Sequence, residues 1–176
     1  MKIAFIISSR FGYTRKIANF IASEFITMNP KYEINFFNLA EYPLMREIMV
    51  GCDVIVVGAS VRYGKFDKNL FKMSQKYAHI LNQKKTAFYA VNLVARKEGK
   101  NNPYHNIYTR KFLDRTNWKP SLVAVFAGEL NYPMYRFWDK QVIRLIMKLT
   151  GGETDTSQKI EYTNWNEVTE FAHCIL

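Results

Sequence analysis

The most constraining feature of the sequence is a short apolar run that ends in a hydroxyl-rich loop. The run covers residues 2–7 (KIAFII), and the loop that follows is Ser8-Ser9-Arg10-Phe11-Gly12-Tyr13-Thr14-Arg15. Beyond the loop, apolar residues recur at helical spacing; they are Ile17, Ala18, Phe20, Ile21, Phe25 and Ile26. The segment therefore predicts a buried β-strand, a tight loop, and a helix that begins near Gly12–Thr14.

Such a loop has the groups that bind a phosphate. The first N–H groups of a helix lack partners and the helix dipole favours an anion, while Ser and Thr hydroxyls add further donors. Gly12 would let the backbone approach a ligand closely or adopt a positive φ. The chain contains neither the G-x-x-x-x-G-K-[ST] of a nucleoside triphosphatase nor a G-x-G-x-x-G fingerprint. The loop predicts either a site for another phosphate ligand or an ordinary βα turn with a capped helix.

Strand-like and helix-like segments alternate along the chain. The predicted strands after the first are Ile34–Phe37, Asp53–Ser60, Thr86–Val94 and Leu122–Gly128, with helical patterns at Leu44–Val50 and Asp67–Leu81. Continuous apolar runs are typical of parallel strands that helices cover on both faces, and parallel neighbours need crossover connections. We expect a doubly wound α/β fold in three layers, with a five-stranded parallel sheet in the middle, as one domain over residues 1–176.

Charge and cysteine content limit the function classes. The chain has 25 Lys and Arg against 15 Asp and Glu, a net charge of +10, which favours an acidic partner such as nucleic acid, an anionic membrane face or an anionic substrate. Cys52 and Cys174 form no C-x-x-C pair, so we expect a reduced, cytosolic setting. The three histidines (His79, His105 and His173) show no ligand spacing and predict no metal site. No apolar run has the length of a membrane span or a signal peptide.

Two more strand ends predict a ligand site, because ligands of such sheets bind at the carboxyl ends of the strands. Ser60-Val61-Arg62-Tyr63-Gly64 follows the third strand, and Asn92-Leu93-Val94-Ala95-Arg96 follows the fourth. Tyr63 could stack on a flavin ring while backbone groups meet its polar edge; an aromatic residue in a surface turn is the alternative. A response-regulator receiver is excluded, because the first and third strands end without the acidic residues that it needs.

The segment Tyr132–Leu149 predicts a basic amphipathic helix. One side of the helical wheel carries Arg136, Lys140, Arg144 and Lys148. The other side carries Trp138, Val142, Leu145, Ile146 and Leu149, with Phe137 and Met147 near the basic side. This pattern is typical of a helix on an anionic membrane or an apolar substrate, and also of a helix packed on the sheet. The candidate substrate or membrane contacts are Tyr135, Arg136, Trp138, Lys140, Arg144 and Lys148.

The loop spacing and the position of this helix resemble flavodoxins. The spacing Ser9-x-x-Gly12-x-Thr14 is similar to the flavodoxin loop S/T-x-T-G-x-T, which holds the phosphate of FMN. Flavodoxins of the long-chain type interrupt their fifth strand with an insertion at about the place of the amphipathic segment. That segment is followed by a strand-like piece at Lys159–Tyr162 and a helix at Trp165–Ile175. The resemblance implies a flavodoxin-like fold with a helical insertion in the fifth strand, at about residues 130–150.

Longer motifs resemble one family in particular. They are S-x-R-x-G-x-T-R at Ser8–Arg15, G-A-S-x-R-Y-G at Gly58–Gly64, F-Y-x-V-N-L-V-A-R-K at Phe88–Lys97, Y-P-x-Y-R-x-x-D at Tyr132–Asp139, I-x-L-I-M-K at Ile143–Lys148, and G-G-E-T-D-T at Gly151–Thr156. Together they are similar to the bacterial quinone-dependent protoporphyrinogen IX dehydrogenases, over essentially the whole chain. This resemblance implies an FMN enzyme of haem biosynthesis that oxidises protoporphyrinogen IX to protoporphyrin IX and passes electrons to menaquinone or ubiquinone. It also implies peripheral attachment to the anionic cytoplasmic face of the bacterial inner membrane, with no nucleic-acid partner.

Carried onto this sequence, the resemblance places the FMN phosphate at Ser9, Gly12 and Thr14, with Arg10, Phe11 and Tyr13 in the same loop. It places the residues 60–64 and 92–96 beside the flavin ring. Two alternatives stay open: a flavodoxin-type electron carrier or NAD(P)H:quinone reductase, and a cofactor-free basic α/β domain that binds nucleic acid or membrane. The positive net charge disfavours a carrier, since flavodoxin carriers are acidic as a family.

Overall fold

The predicted strands form one parallel sheet. The computed structural model describes residues 1–40, 45–149 and 151–176. The sheet consists of β1 (Lys2–Ser8), β2 (Glu33–Asn38), β3 (Val54–Ser60), β4 (Lys85–Val91) and β5 (Leu122–Phe126), in the order β2-β1-β3-β4-β5. All four neighbouring pairs are parallel. The doubly wound α/β prediction is therefore confirmed.

Helices cover both faces of the sheet. They are α1 (Tyr13–Met28), α2 (Met45–Gly51), α3 (Lys68–Lys76), α4 (Ala78–Leu81), α5 (Ile107–Arg115), α6 (Phe137–Leu149) and α7 (Trp165–Ile175). Side chains of α1 and α7 share one apolar cluster with one face of the strands, while α2, α3, α4 and α5 share a second cluster with the other. The alternate residues of the central strands enter opposite clusters, which is why β1, β3 and β4 are almost entirely apolar.

The helices between β2 and β5 agree only in part with the sequence-based expectation. The helix expected over Asp67–Leu81 breaks at Tyr77 into α3 and α4. The sequence pattern did not predict α5, because its buried residues are only Thr109 and Phe112. The piece predicted at Leu44–Val50 corresponds to α2, and its first residue lies outside the described part of the chain.

The fourth strand is shorter than predicted. β4 ends at Val91, opposite the last residue of β5, and Asn92 N–H donates to the Phe126 carbonyl at 3.0 Å. The chain then turns into a 3₁₀ helix at Leu93–Arg96. The strand therefore ends where its neighbour ends, although the apolar run in the sequence continues to Val94.

The helical insertion leaves the sheet at the end of β5. It begins with β6 (Glu129–Asn131) and a 3₁₀ turn at Tyr132–Met134, continues through α6, and returns through β7 (Lys159–Glu161). β6 and β7 pair in antiparallel fashion as a separate two-stranded ribbon, with Leu130 opposite Ile160. The ribbon encloses the predicted insertion of about residues 130–150, which follows β5 instead of interrupting it, because β7 pairs with β6 and not with the five-stranded sheet. The final helix then packs as α7, at the predicted bounds of Trp165–Ile175.

Candidate functional site

A cavity opens at the carboxyl ends of β1, β3 and β4. The chain leaves β1 toward β2 on one side and resumes at β3 on the other, so this is the switch point of the sheet, where such folds bind ligands. The predicted residues that line the cavity are Ser9, Arg10, Phe11, Tyr13, Thr14, Ser60, Val61, Arg62, Tyr63, Gly64, Asn92, Leu93, Val94 and Tyr135. The fold thus brings the three predicted loops and one residue of the insertion to a single cavity.

The first loop leads into α1, whose first residues line the cavity. Gly12 has φ 81° and precedes the first residue of α1, and the Lys16 N–H donates to its carbonyl at 3.0 Å. The positive φ favours glycine, because a Cβ would be strained there. No side chain caps α1 and its first turn holds no acidic residue, so its N–H groups remain available to an anion. The buried Tyr89 hydroxyl of β4 fixes the first turn of α1, because it donates to the Thr14 carbonyl at 2.8 Å.

Two buried polar atoms at the cavity lack partners within the described residues. They are Thr14 Oγ1 and Asn92 Nδ2. Thr14 is 1% exposed and Asn92 is 6% exposed, and both side chains line the cavity. Asn92 Oδ1 is fixed by Asn106 Nδ2 at 3.2 Å, which leaves the other end of the amide as a donor. A buried donor without a partner is costly, so these atoms fit a ligand that supplies acceptors, such as a phosphate and a flavin ring.

The second loop is a rigid two-residue turn. Arg62 and Lys65 exchange backbone hydrogen bonds at 2.8 and 3.0 Å. The two residues between them, Tyr63 and Gly64, both have positive φ, at 48° and 74°. This is the pattern of a type I′ turn, in which Asn and Gly are usual and a Tyr is strained. The strained conformation holds Tyr63 on the rim of the cavity with 52% of its surface exposed.

The insertion is tied to this turn by a buried carboxylate. Asp139 of α6 is 6% exposed, and its Oδ1 lies 2.6 Å from Nη2 of Arg62. The Tyr63 hydroxyl donates to the same oxygen. The Arg62 guanidinium also lies over the rings of Tyr63, at 4.7 Å, and Phe11, at 5.8 Å. One acidic side chain therefore joins α6 to the turn after β3.

The same insertion roofs the cavity with apolar side chains. Met134, Ile143, Ile146 and Met147 line it from α6 and the preceding turn. Tyr135 adds a ring that packs 5.3 Å from the ring of Phe11 in the first loop. Burial raises the pKa of the Tyr135 hydroxyl, which therefore stays protonated at neutral pH. An apolar roof excludes water from the ligands below it.

Helix α6 presents its apolar side to solvent. Its inward stripe is Asp139, Ile143 and Met147, spaced at i, i+4 and i+8. The side chains predicted to form the apolar side are all exposed: Trp138 78%, Val142 40%, Leu145 57%, Ile146 43% and Leu149 77%. The alternative that this side packs on the sheet is therefore wrong. Met147, placed near the basic side by the wheel, is fully buried against Leu130 and Tyr132.

Several candidate residues lie away from the cavity. Gly12 shapes the first loop but does not line the cavity, and neither does Ala95, which is buried. Arg96 donates to the Leu93 carbonyl at 2.7 Å and lies 6.0 Å from the Tyr162 ring centroid. The candidates Arg136, Trp138, Lys140, Arg144 and Lys148 are on α6 or just before it and are not among the lining residues. Trp138 belongs to the exposed apolar side, and the four basic residues form the neighbouring side of the helix.

Part of the cavity wall is formed by residues that the sequence patterns did not predict. The residues concerned are Val91, Tyr108, Ala127, Gly128, Glu129, Asn131, Met134, Asp139, Ile143, Ile146 and Met147. A signal was present for the last four, since Asp139, Ile143 and Met147 recur every four residues and Ile146 is adjacent. The larger apolar set on the other side of the wheel obscured it.

A second network fastens the ribbon to the first loop. The Tyr13 hydroxyl donates to Glu161 Oε1 at 2.6 Å and lies 2.7 Å from Thr163 Oγ1. Glu161 also accepts from Lys16 Nζ at 2.9 Å and from Trp165 Nε1 at 3.0 Å. Burial and the bond to Glu161 raise the pKa of Tyr13, whereas the Tyr13 hydroxyl is the main cause of a lowered pKa at Glu161. The start of α1 is thereby held to the end of β7.

Within residues 1–40, 45–149 and 151–176, no three His, Cys, Asp or Glu side chains stand close enough to hold a metal ion. In the same ranges, no helix combines the length and the apolar character needed to cross a bilayer.

Comparison with known proteins identifies the family. The flavodoxin domain family matches residues 4–157. The protoporphyrinogen IX dehydrogenase [quinone] of Escherichia coli K12 is 42% identical over 172 residues, covering 98% of this chain and 93% of that protein. The chain belongs to the family of quinone-dependent protoporphyrinogen IX dehydrogenases. A protoporphyrinogen IX dehydrogenase [quinone] of Leishmania major is 45% identical over 125 residues, covering 71% of this chain and 54% of that protein. The family resemblance inferred from the motifs is confirmed, and the flavodoxin domain implies a flavin cofactor.

Solved structures agree on the fold of this dehydrogenase family member. The two-electron reduced flavodoxin of Megasphaera elsdenii has a TM-score of 0.50 and 14% identity, over 71% of this chain and 85% of that chain. The rubredoxin oxygen:oxidoreductase of Desulfovibrio gigas has a TM-score of 0.52 and 12% identity, over 99% of this chain and 35% of that chain. At such low identity the likeness concerns the fold alone.

Proposed function

We propose that the chain catalyses the FMN-dependent oxidation of protoporphyrinogen IX to protoporphyrin IX, with electrons passed to menaquinone or ubiquinone, as a step of haem biosynthesis. The observation that carries the proposal is that the Ser9–Thr14 loop and the helical insertion border one and the same cavity. A carrier needs only an accessible cofactor, whereas here an apolar roof stands over it. The activity named for the 42% identical relative supports the same conclusion.

The cavity residues divide the binding of FMN between them. Ser9, Thr14 and the free N–H groups of α1 would hold the phosphate. Asn92 Nδ2 and the 60–64 turn would meet the flavin ring. Bound FMN supplies the two-electron redox chemistry. The protein side chains bind, orient and exclude water, and the buried pair of Asp139 and Arg62 keeps the roof in place.

We also propose that α6 attaches the protein to the anionic cytoplasmic face of the bacterial inner membrane. Quinones with isoprenoid tails dissolve in the bilayer, so an enzyme that reduces them has to reach its surface. The exposed apolar side of α6 would enter the interface, and the flanking basic residues Arg136, Lys140, Arg144 and Lys148 would meet the anionic headgroups. Ile146 belongs both to the exposed side and to the cavity wall, which makes the two surfaces continuous.

The decisive experiment is an anaerobic reaction of the FMN-loaded protein with protoporphyrinogen IX, followed by menaquinone. We expect loss of flavin absorbance with appearance of porphyrin fluorescence, and return of the flavin absorbance when quinone is added. Loss of flavin absorbance with NADPH but not with porphyrinogen would assign the protein to the NAD(P)H:quinone reductases. If the protein took up no flavin, only the alternative of a cofactor-free basic α/β domain would remain.

A further inference from the structure

A second cavity adjoins the first on the β2 side of the sheet. It lies at the carboxyl ends of β2, β1 and β3 and at the start of α3. The two cavities share five wall residues, namely Ser9, Arg10, Ser60, Arg62 and Tyr63. A molecule in the first cavity could therefore extend a substituent of a few atoms into the second.

Among the described residues, the wall of the second cavity has an excess of positive charge. Its described lining includes the cations Arg10, Arg62 and Lys65 and a single carboxylate, Asp67. Asp67 is engaged as the cap of α3, where its Oδ1 accepts from the Asn69 N–H at 2.7 Å. Arg62 is neutralised by Asp139. Within the described ranges, neither Arg10 nor Lys65 forms an ion pair, so these two charges remain available to an anion.

The polypeptide holds these two cations from separate elements. Lys65 closes the type I′ turn through its backbone bonds to Arg62, so the position of its Cα is defined by the turn. Arg10 belongs to the loop after β1, and its guanidinium lies 6.0 Å from the Phe11 ring centroid. Ser60 and Asn69 add polar side chains to the same wall. Two cations with neutral polar side chains in the same wall suit a carboxylate.

We propose that the second cavity binds a propionate carboxylate of the tetrapyrrole substrate, with Arg10 and Lys65 as its cationic ligands. The inference rests on the proposed function. A porphyrinogen is an apolar macrocycle with two propionates on adjacent pyrroles, so its ring suits the apolar roof and its carboxylates need a cationic site at one edge. The adjoining cavity supplies that site on the side of Arg62 and Tyr63 away from the strand β4.

Variants of Lys65 test this site independently of the flavin site, because Lys65 lines only the second cavity. The test compares Lys65→Ala and Lys65→Glu with Lys68→Ala, which removes an exposed lysine three residues away that lines neither cavity. Two ligands are titrated by fluorescence, protoporphyrin IX and its dimethyl ester, and FMN affinity is measured in parallel. Steady-state oxidation of protoporphyrinogen IX provides KM and kcat.

For Lys65→Ala we expect about a five-fold rise in the Kd of the free diacid and in KM, the upper range for an exposed ion pair. Lys65→Glu should raise both further. The Kd of the ester, the Kd of FMN and kcat should stay at wild-type values, and Lys68→Ala should match the wild type throughout.

Two results would overturn the subsite: equal behaviour of Lys65→Ala and Lys68→Ala, or an equal loss for diacid and ester. If Lys65→Ala bound FMN more weakly and the diacid with unchanged Kd, the second cavity would bind part of the cofactor and not the substrate. The proposed function fails separately, when the FMN-loaded wild type does not oxidise protoporphyrinogen IX. A wild type that binds neither porphyrin would end both proposals.

Discussion

Asp139 and Arg62 lie 77 residues apart and form an ion pair at 2.6 Å that connects the inserted helix to the turn after β3. The Asp139 side chain is 9% exposed and the Arg62 side chain 30% exposed. Besides this pair, α6 buries only one side chain fully, Met147. The Asp139–Arg62 contact therefore holds α6 over the cavity together with the packing of Met147 and Ile143.

Replacing Asp139 should loosen the insertion. In Asp139→Asn the Arg62 guanidinium loses its charged partner in a partly buried place, and we expect a loss of about 2 kcal/mol in the free energy of unfolding. Hydrogen exchange should rise in residues 137–149 before it rises in the central strands. Urea unfolding and exchange mass spectrometry measure the two effects. Asp114→Asn, which alters an exposed aspartate of α5, is the matched control, and equal losses in both variants would contradict the ionic connection.

The exposed apolar side of α6 should bind membranes without stabilising the fold. Changing Trp138 and Leu149 together to Ser should leave the free energy of unfolding within about 0.5 kcal/mol, because both side chains are more than three-quarters exposed. Binding to phosphatidylglycerol vesicles should weaken roughly tenfold or more, since two large side chains no longer enter the interface. Co-sedimentation provides the measurement.

The control for the membrane experiment is Tyr104→Ser, since Tyr104 is 76% exposed but distant in sequence from α6. It should bind anionic vesicles as the wild type does. Equal loss of binding in both variants, or wild-type binding of the double variant, would remove α6 from the membrane contact. Binding of the wild type to neutral phosphatidylcholine vesicles should be weaker and less sensitive to salt.

The partnerless hydroxyl of Thr14 predicts opposite effects on flavin binding and on apoprotein stability. Thr14→Val keeps the shape of the side chain and removes a buried polar atom that has no protein partner among the described residues. We expect the flavin-free protein to be as stable as the wild type or slightly more stable, and the Kd of FMN to rise about tenfold. Flavin fluorescence titration and thermal unfolding of the apoprotein give the two values.

Thr86→Val is the matched control, because the hydroxyl of this buried threonine accepts from Trp118 Nε1 at 3.0 Å. It should destabilise the apoprotein by about 1–2 kcal/mol, as the indole N–H loses its partner, and leave the Kd of FMN unchanged. An unaltered FMN affinity in Thr14→Val would show that its hydroxyl does not contact the cofactor.

The Tyr13–Glu161 bond predicts a specific dependence of stability on pH. The Tyr13 hydroxyl stabilises the ionised carboxylate and lowers the pKa of Glu161. This contribution is fully present above the unfolded-state pKa of about 4.3 and is lost as the pH falls through the lower folded-state pKa. Tyr13→Phe should therefore unfold about 1 kcal/mol more easily at pH 7 and lose less stability between pH 5 and pH 3. Urea midpoints across that range test the sign, with Tyr32→Phe as control; a steeper acid loss in Tyr13→Phe would contradict it.

Much of the fold and part of the site could be read from local sequence. The strands β1, β3 and β4 are continuous apolar runs, and the loop at Ser9–Thr14 joins one of them to an amphipathic helix, so sheet, loop and switch point follow from short-range patterns. Candidate residues for a phosphate site could be named because they are consecutive, and the cavity wall includes Ser9 and Thr14. The bounds of α7 were also predictable, since Asn164 caps it and an apolar stripe continues to its end.

Only the tertiary structure decided which side of α6 faces the protein. By itself the sequence shows two possible stripes, and the larger apolar one lies outward, because the inward face is selected by a distant partner: Arg62 in its strained turn holds Asp139. The second cavity is also a tertiary result, since Arg10 and Lys65 become neighbours of one space only when β1 and β3 pair. Periodicity determines that a helix forms and how its residues group, but the choice between its faces is made by contacts that span the whole chain.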